Sequence, residues 1–288
     1  MADTTGTPRT RALAAALRRA RIAAGFGVRE VARTLDMSHT TISQWETGKR
    51  VPALADLTAM LTAIGVADEQ RDTILDLARD LPSPHRWTSA VPGLPAYLEG
   101  VMECERSAAE IVEWNPLVIP DLLQTAEYAS AVIGDDDALT RAEVQARVEV
   151  RRGRRAGLAE GSEYTALIGE WALRQRVGGA EVLVEQLKRL VKGAITVRVV
   201  PIGTGWHPGL AGPFTLYNFA DGTSTGYLPQ ERGGQFVYDD PDLTTYKVAA
   251  ARVGRAALSA ADSVPFINAV IKKLTKNAAR RSPGPQRA

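Results

Sequence analysis

The stretch Val28–Arg50, VREVARTLDMSHTTISQWETGKR, decides how the first third of the chain is read. Val31, Ala32 and Leu35 fall at helical spacing on one apolar face, which predicts a helix over 28–35. Asp36 and Met37 make a turn. Ser38 then stands where an N-cap belongs, because its hydroxyl can accept a free backbone N–H of the next helix. That helix runs from His39 to about Thr47, and Gly48 stops it with a backbone that tolerates positive φ. Ile42 and one face of Trp45 turn inward. His39, Thr40, Ser43, Gln44 and Thr47 turn outward, a face of hydrogen-bonding side chains without a carboxylate. A short polar helix docked on a companion in this way fits a DNA major groove. The alternative is a packing element whose polar face is merely solvated.

Charge separates these two readings. Between Arg9 and Arg50 stand nine basic residues (Arg9, Arg11, Arg18, Arg19, Arg21, Arg29, Arg33, Lys49, Arg50) and three acidic ones (Glu30, Asp36, Glu46). The whole chain carries only +2. A local excess of positive charge in a nearly neutral chain suits a phosphate backbone.

The rest of the chain sets the bounds. Its 288 residues exceed one small helical module and predict two domains. The single cysteine, Cys104, excludes an intramolecular disulfide and any multi-cysteine metal site, and fits a reducing cytoplasm. No apolar run approaches the ~20 residues of a membrane span. The opening MADTTGTPRT lacks the apolar core of a signal peptide.

The residues REVA (Arg29 to Ala32) and SHTTISQWETGKRVP (Ser38 to Pro52), with Ile42, Glu46, Gly48, Lys49 and Pro52 in register, carry a resemblance. Over Arg9 to Asp80 the chain resembles the five-helix DNA-binding domain of the lambda-repressor-like, XRE-type regulators. The resemblance implies an ion pair between Arg21 on the first helix and Glu46 on the recognition helix. It also implies DNA contacts from Arg29, Ser38, His39, Thr40, Thr41, Ser43, Gln44, Lys49 and Arg50. The family often opens its second helix with Ser or Thr and then a phosphate-touching Gln. Here Gly27 and Val28 stand there, and Arg29 is the candidate to replace that contact.

In chain order, a helix is expected from about Thr10 to Ala24, a fourth over 53–64 and a fifth after Asp68, within a DNA-binding domain over 9–80. Pro82, Pro84, Pro92 and Pro95 break any helix and mark a linker at 81–95. A second domain spans 96–275. Helices are expected over 97–110, after Pro120, over 140–158, around Val182 to Val191, over 241–258 and over 264–274. Strands are expected over 163–168, 195–200, 214–219, 225–228 and 235–238. The expected fold is α+β, a small antiparallel sheet flanked by helices. A disordered basic tail is expected over 276–288.

Five further stretches carry a second resemblance: VIPDLLQTAEYA (118–129), ARVEVRRGR (146–154), GEWALRQRVGG (169–179), VRVVPIGTGWHPGLAGPFTLYNF (197–219) and VYDDPDLTTY (237–246). They resemble the domain that follows the helix-turn-helix in WhiJ-like actinobacterial regulators, a domain without a settled biochemical activity. Asp121 stands where that family usually has Gly. The resemblance implies a regulator paired with a small protein from a neighbouring gene, as in toxin–antitoxin pairs.

Three histidines, of which only His207 falls in the second domain, leave no convergent metal-ligand set. GTGWHPG lacks the Lys-Ser/Thr ending of a phosphate loop. Trp206 and His207 are a candidate surface for a partner or ligand, against a plain turn and core packing of Trp206. Glu170, Arg174 and Arg176 line a polar pocket or form a surface ion-pair cluster. Arg147, Arg151, Arg152, Arg154 and Arg155 form a solvated face or add contacts to DNA or an acidic partner. The sequence therefore predicts a cytoplasmic, non-enzymatic regulator without cofactor. It reads double-stranded DNA as a homodimer, with the apolar residues Val264, Phe266, Ile267, Val270 and Ile271 as candidates for the dimer contact. The competing class is a ligand-binding or enzymatic second domain whose helix-turn-helix serves protein contact.

Overall fold

The computed structural model describes residues 8–79, 97–135, 139–193, 195–230, 233–237 and 240–281. The chain divides into two compact units, Met1–Cys104 with Asp221–Tyr238, and Glu105–Ala220 with Asp239–Ala288. The expected linker at 81–95 lies outside the described residues.

In the first unit, five helices follow one another: α1 (Pro8–Ala23), α2 (Val28–Thr34), α3 (His39–Glu46), α4 (Leu54–Ala63) and α5 (Asp68–Arg79). Most are too short to be stable alone in water, so the five depend on the faces they bury. Leu13 and Leu17 of α1, Val31 of α2, Ile42 and Trp45 of α3, and Leu57, Met60 and Leu61 of α4 form one core. The same unit takes in a later hairpin, β5 (Ser224–Gln230) and β6 (Gly233–Val237), closed by Tyr227 against Phe236 with ring centroids 4.9 Å apart. Ahead of β5, Asp221 pairs with Arg11 of α1 at 3.6 Å, and Thr223 accepts a hydrogen bond from the same guanidinium.

The second unit contains four strands, β1 (Ala108–Asn115), β2 (Glu163–Gly169), β3 (Thr196–Val200) and β4 (Phe214–Phe219). Helix α6 (Tyr97–Ser107) gives way to β1 three residues before the expected helix end at Glu110. The run Ile111–Val112 followed by Trp114 is better matched to a pleated surface than to a helix. The sheet order is β3-β2-β1-β4-β5-β6, six strands in all. It is mixed, which corrects the expected antiparallel sheet: β1 pairs with β2, and β2 with β3, in parallel, while β4 runs antiparallel to β1. The reason lies in the connections. Helices α7 (Ala126–Ile133) and α8 (Arg141–Ala156) separate β1 from β2, and α9 (Ala180–Lys192) separates β2 from β3. Helical crossovers of this length return the chain to the end where it started, which parallel pairing requires.

The remaining helices are α10 (Asp240–Ala256) and α11 (Ala260–Arg281). Arg198 on β3 fastens the end of α10: its Nε donates to Leu258 O (2.9 Å) and its Nη2 to Gly254 O (2.7 Å) and Ala257 O (3.2 Å). These carbonyls lack partners within the helix, and a cation complements the helix dipole there. Ser259 caps α11 by accepting from Asp262 N (3.0 Å), so that helix begins four residues before the expected start at Val264. It also continues to Arg281, into the segment expected to be a disordered tail from 276.

Helix α11 lies on α9 and β3. Ile267 and Val270 are buried in that contact, so these two candidates for the dimer face are spent on the unit's own core. On α9, Leu183, Leu187 and Leu190 face the core, and the fully buried Gln186 donates to Leu123 O (2.9 Å) and accepts from Thr125 N (2.7 Å). Among the described residues no helix is long and apolar enough to cross a membrane.

Candidate nucleic-acid interface

Helices α2 and α3 meet through Val31 and Ala32 on one side and Ile42 and Trp45 on the other, all buried. Between them Asp36 adopts φ +52°, a left-handed conformation that Asp tolerates better than most residues. Met37 N donates back to Ala32 O at 2.8 Å and closes the turn. Ser38 Oγ accepts from Thr41 N at 3.1 Å and lies 2.9 Å from Thr41 Oγ1. Ser38 and Thr41 therefore build the cap of α3 with their hydroxyls.

At the other end, Gly48 takes φ +70°, and its neighbours Lys49 and Arg50 donate their backbone N–H groups to Gln44 O at 3.0 and 3.2 Å. This hook sets two exposed cations directly beyond α3. His39, Thr40 and Ser43 are exposed along the helix, Gln44 is half-buried, and Arg29 is exposed on α2. Thr47 turns its hydroxyl onto Ser43 O at 2.8 Å.

The orientation of α3 is fixed from below by a bidentate ion pair. Arg21 Nε donates to Glu46 Oε1 at 2.6 Å and Nη2 to Oε2 at 2.8 Å, while Nη1 donates to Phe26 O at 2.7 Å. Its hydrogen bonds to Glu46 raise the Arg21 pKa further above its ordinary value. Beside it, the buried Trp45 Nε1 has no partner among the described residues, which costs about 1–3 kcal/mol. Arg21 with Glu46 and Arg11 with Asp221 are thus ion-paired inside the unit.

In the second unit the four candidate residues fall apart into two sets. Glu170 and Arg174 form an ion pair one helical turn apart, and Glu170 Oε2 also accepts from Ile202 N at 2.9 Å. They act as a staple for the loop after β3. Trp206 is exposed, with the Arg252 guanidinium 4.9 Å from its ring centroid, which corrects the reading of Trp206 as a core residue. His207 is buried edge-to-face against Trp114, ring centroids 5.6 Å apart, and its Nδ1 has no partner among the described residues. Burial lowers its pKa below the ordinary imidazole value. His207 is therefore an anchor and does not belong to a partner surface. Gly209, two positions on, accepts the Trp114 Nε1–H at 2.8 Å through its carbonyl; any Cβ there would lie 2.6 Å from that nitrogen.

The arginine run of α8 is partly interior. Arg154 is buried and pairs with Glu105 through Nε (3.0 Å) and Nη2 (2.6 Å), and with Asp121 at 3.3 Å. Arg151 donates to Gln124 Oε1 (2.7 Å) and reaches Asp121 at 3.2 Å. Asp121 thus has two arginine partners. Near this network Glu113 accepts from Tyr164 OH at 2.6 Å and from Asn115 Nδ2 at 3.3 Å. Burial, reinforced by the charges of Asp121 and Glu105, pushes its pKa up to about 7. Sequence reading missed this site. Its only signals were charged residues, Glu105 and Arg154, inside amphipathic helices, and Glu113 beside a tryptophan in a strand.

Two short helices, a tight turn, a capped second helix and an exposed polar face define a helix-turn-helix. Residues 12–74 match the family described as a helix-turn-helix domain. Residues 98–269 match the family described as a domain of unknown function (DUF5753), and the chain belongs to that family. No curated protein and no solved structure matches the chain.

Proposed function

We propose that this chain is a sequence-specific DNA-binding transcriptional regulator. One observation carries the reading: the exposed face of α3 presents His39, Thr40 and Ser43, with Gln44 at its edge and Lys49 and Arg50 at its end, and is held in place by the Arg21–Glu46 pair. A helix of eight residues with such a face can enter a major groove and meet base edges, with the cations on flanking phosphates. In this reading Gln44, Thr40 and His39 read bases. Arg29, Lys49 and Arg50 hold the backbone, and Ser38 and Thr41 cap the helix that presents the readers.

One recognition helix covers few base pairs, so the regulator works as a homodimer on a near-palindromic operator, with the second unit joining the copies. The resemblance to WhiJ-like regulators adds a small protein partner of the second unit. Such a partner changes operator affinity only by preferring one arrangement of the DNA-reading heads, with a typical coupling of about 1–3 kcal/mol. The test is selection of bound fragments from a random duplex library by the full chain, followed by a gel shift at several salt concentrations. Enrichment of a two-fold-related motif supports the reading. Binding without sequence enrichment, or no binding at low salt, refutes it.

A further inference from the structure

The mixed sheet gathers three loops at one edge. Strands β1, β2 and β3 are parallel neighbours, so the loops after Asn115, Gly169 and Val200 leave the same end of the sheet. The contact is direct: a Cβ on Gly169 would lie 2.4 Å from Pro116 O, and Glu170 N donates to Val200 O at 2.9 Å. The chain from β3 to β4 must then cross the ends of β2 and β1, because β4 starts beside the end of β1, with Phe214 opposite Trp114. At about 4.8 Å per strand, the edge is on the order of 15 Å wide.

Onto this edge fall six of the exposed large apolar side chains: Leu117 and Val118 after β1, Trp171 after β2, and Ile202, Trp206 and Leu210 on the crossing loop. Trp206 is 71% exposed and Trp171 53%. With whole aromatic side chains covering about 150–250 Å², the six leave on the order of 600 Å² of apolar surface. It approaches the ~800 Å² that each partner contributes to a standard stable interface. The edge is also preorganised. The crossing loop is pinned by Ile202 N on Glu170, His207 against Trp114, Gly209 O on Trp114 and Arg252 over Trp206.

We infer that this edge, the carboxyl end of β1–β3, is the face on which a second copy of the chain docks, two-fold and patch to patch. A self-complementary apolar patch supplies what an isologous dimer needs, and tryptophans are the side chains that most often dominate such contacts. The Glu170–Arg174 pair offsets charge within each chain, and the Arg252 guanidinium stacks on the Trp206 ring at 4.9 Å. The inference deepens the proposed function and rests on it only for the need of two DNA-reading heads.

Sedimentation velocity of the full chain tests it. The expected result at about 50 µM, above the µM-to-pM range of dissociation constants of standard-size interfaces, is twice the 31.0 kDa chain mass. Trp206→Ala and Leu210→Ser, both on exposed side chains, are each expected to weaken dimerisation at least 10-fold, the smaller effect expected of an interface anchor. Val264→Ala, on the α11 surface, is expected to leave it unchanged. A monomeric wild-type chain at that concentration overturns the inference and gives the edge to a different protein. So does a dimer that both edge variants leave intact. The same samples are run in gel shifts on the DNA upstream of the chain's own gene. Loss of DNA binding by a dimeric wild-type chain counts against the proposed function alone. A monomeric chain that still binds DNA counts against the inference alone.

Discussion

Substituting Glu46 by Ala removes the carboxylate that fixes α3 on α1. The side chains of Arg21 and Glu46 are 11% and 5% exposed, so Arg21 is left with Phe26 O as its one remaining strong acceptor and little access to water. Breaking a buried pair from one side costs about 3–5 kcal/mol, chiefly through the stranded charge. The retained bond to Phe26 O and the exposed edge of the guanidinium put this case at the lower end, about 3 kcal/mol. That is roughly two orders of magnitude in the opening equilibrium of the helices it joins. Hydrogen exchange on the full chain reads the effect where it occurs, in the amides of α1 and α3. Amides of β2 and α9 in the second unit serve as the internal control. The double substitution Arg21→Met with Glu46→Met leaves no stranded charge and is expected to recover most of the loss. Unchanged protection of α3 in Glu46→Ala, or a double variant as unstable as the single, would refute the reasoning.

Other expectations follow from neighbouring features. Gln44→Ala should lose about 1–3 kcal/mol of preference at one or two base pairs, measured as a ratio of affinities for operator variants; uniform weakening across all sequences would remove Gln44 from base readout. Lys49→Ala should weaken binding to every sequence alike and flatten the dependence of log K on log salt by about one unit; an unchanged slope denies the phosphate contact. Glu113 has a folded pKa raised to about 7, so its stabilising contribution is full below the unfolded value near 4.5 and is lost as pH rises through 7. Glu113→Gln, which can keep the Tyr164 bond, should therefore be near neutral at pH ~5 and stabilising by about 2–3 kcal/mol at pH ~8 in urea unfolding. Equal effects at both pH values would show that Glu113 is not the titrating group. Gly209→Ala should cost about 1–3 kcal/mol by overpacking against Trp114 and Val253; an unchanged urea midpoint contradicts the close approach.

The helix-turn-helix was legible because its determinants are local. Ser38 caps, Asp36 turns and Gly48 stops within a few residues of the positions they control, and the apolar spacing names the buried side of each helix. The second unit was less legible because its determinants are distant in sequence. The direction of β1 depends on pairing with β2 across some fifty residues, as Tyr164 and Glu113 show, and neither strand's own alternation encodes that choice. Arg154 looked like part of a solvated run because its partners, Glu105 and Asp121, lie on other elements. Trp206 and His207, adjacent in sequence, take opposite environments because the backbone at this point leaves the sheet edge and drops onto Trp114.

The contact of Arg11 with Thr223 joins positions 212 residues apart, inside the unit that holds the helix-turn-helix. During synthesis at about 5–20 residues per second, roughly 10–40 s pass between the emergence of the two. The apolar core of α1–α5 is complete within the first 79 residues and needs none of that interval. The newborn chain therefore carries a packed DNA-reading head, with the Arg11 cation still unengaged by Asp221, for most of the time its ribosome needs to finish.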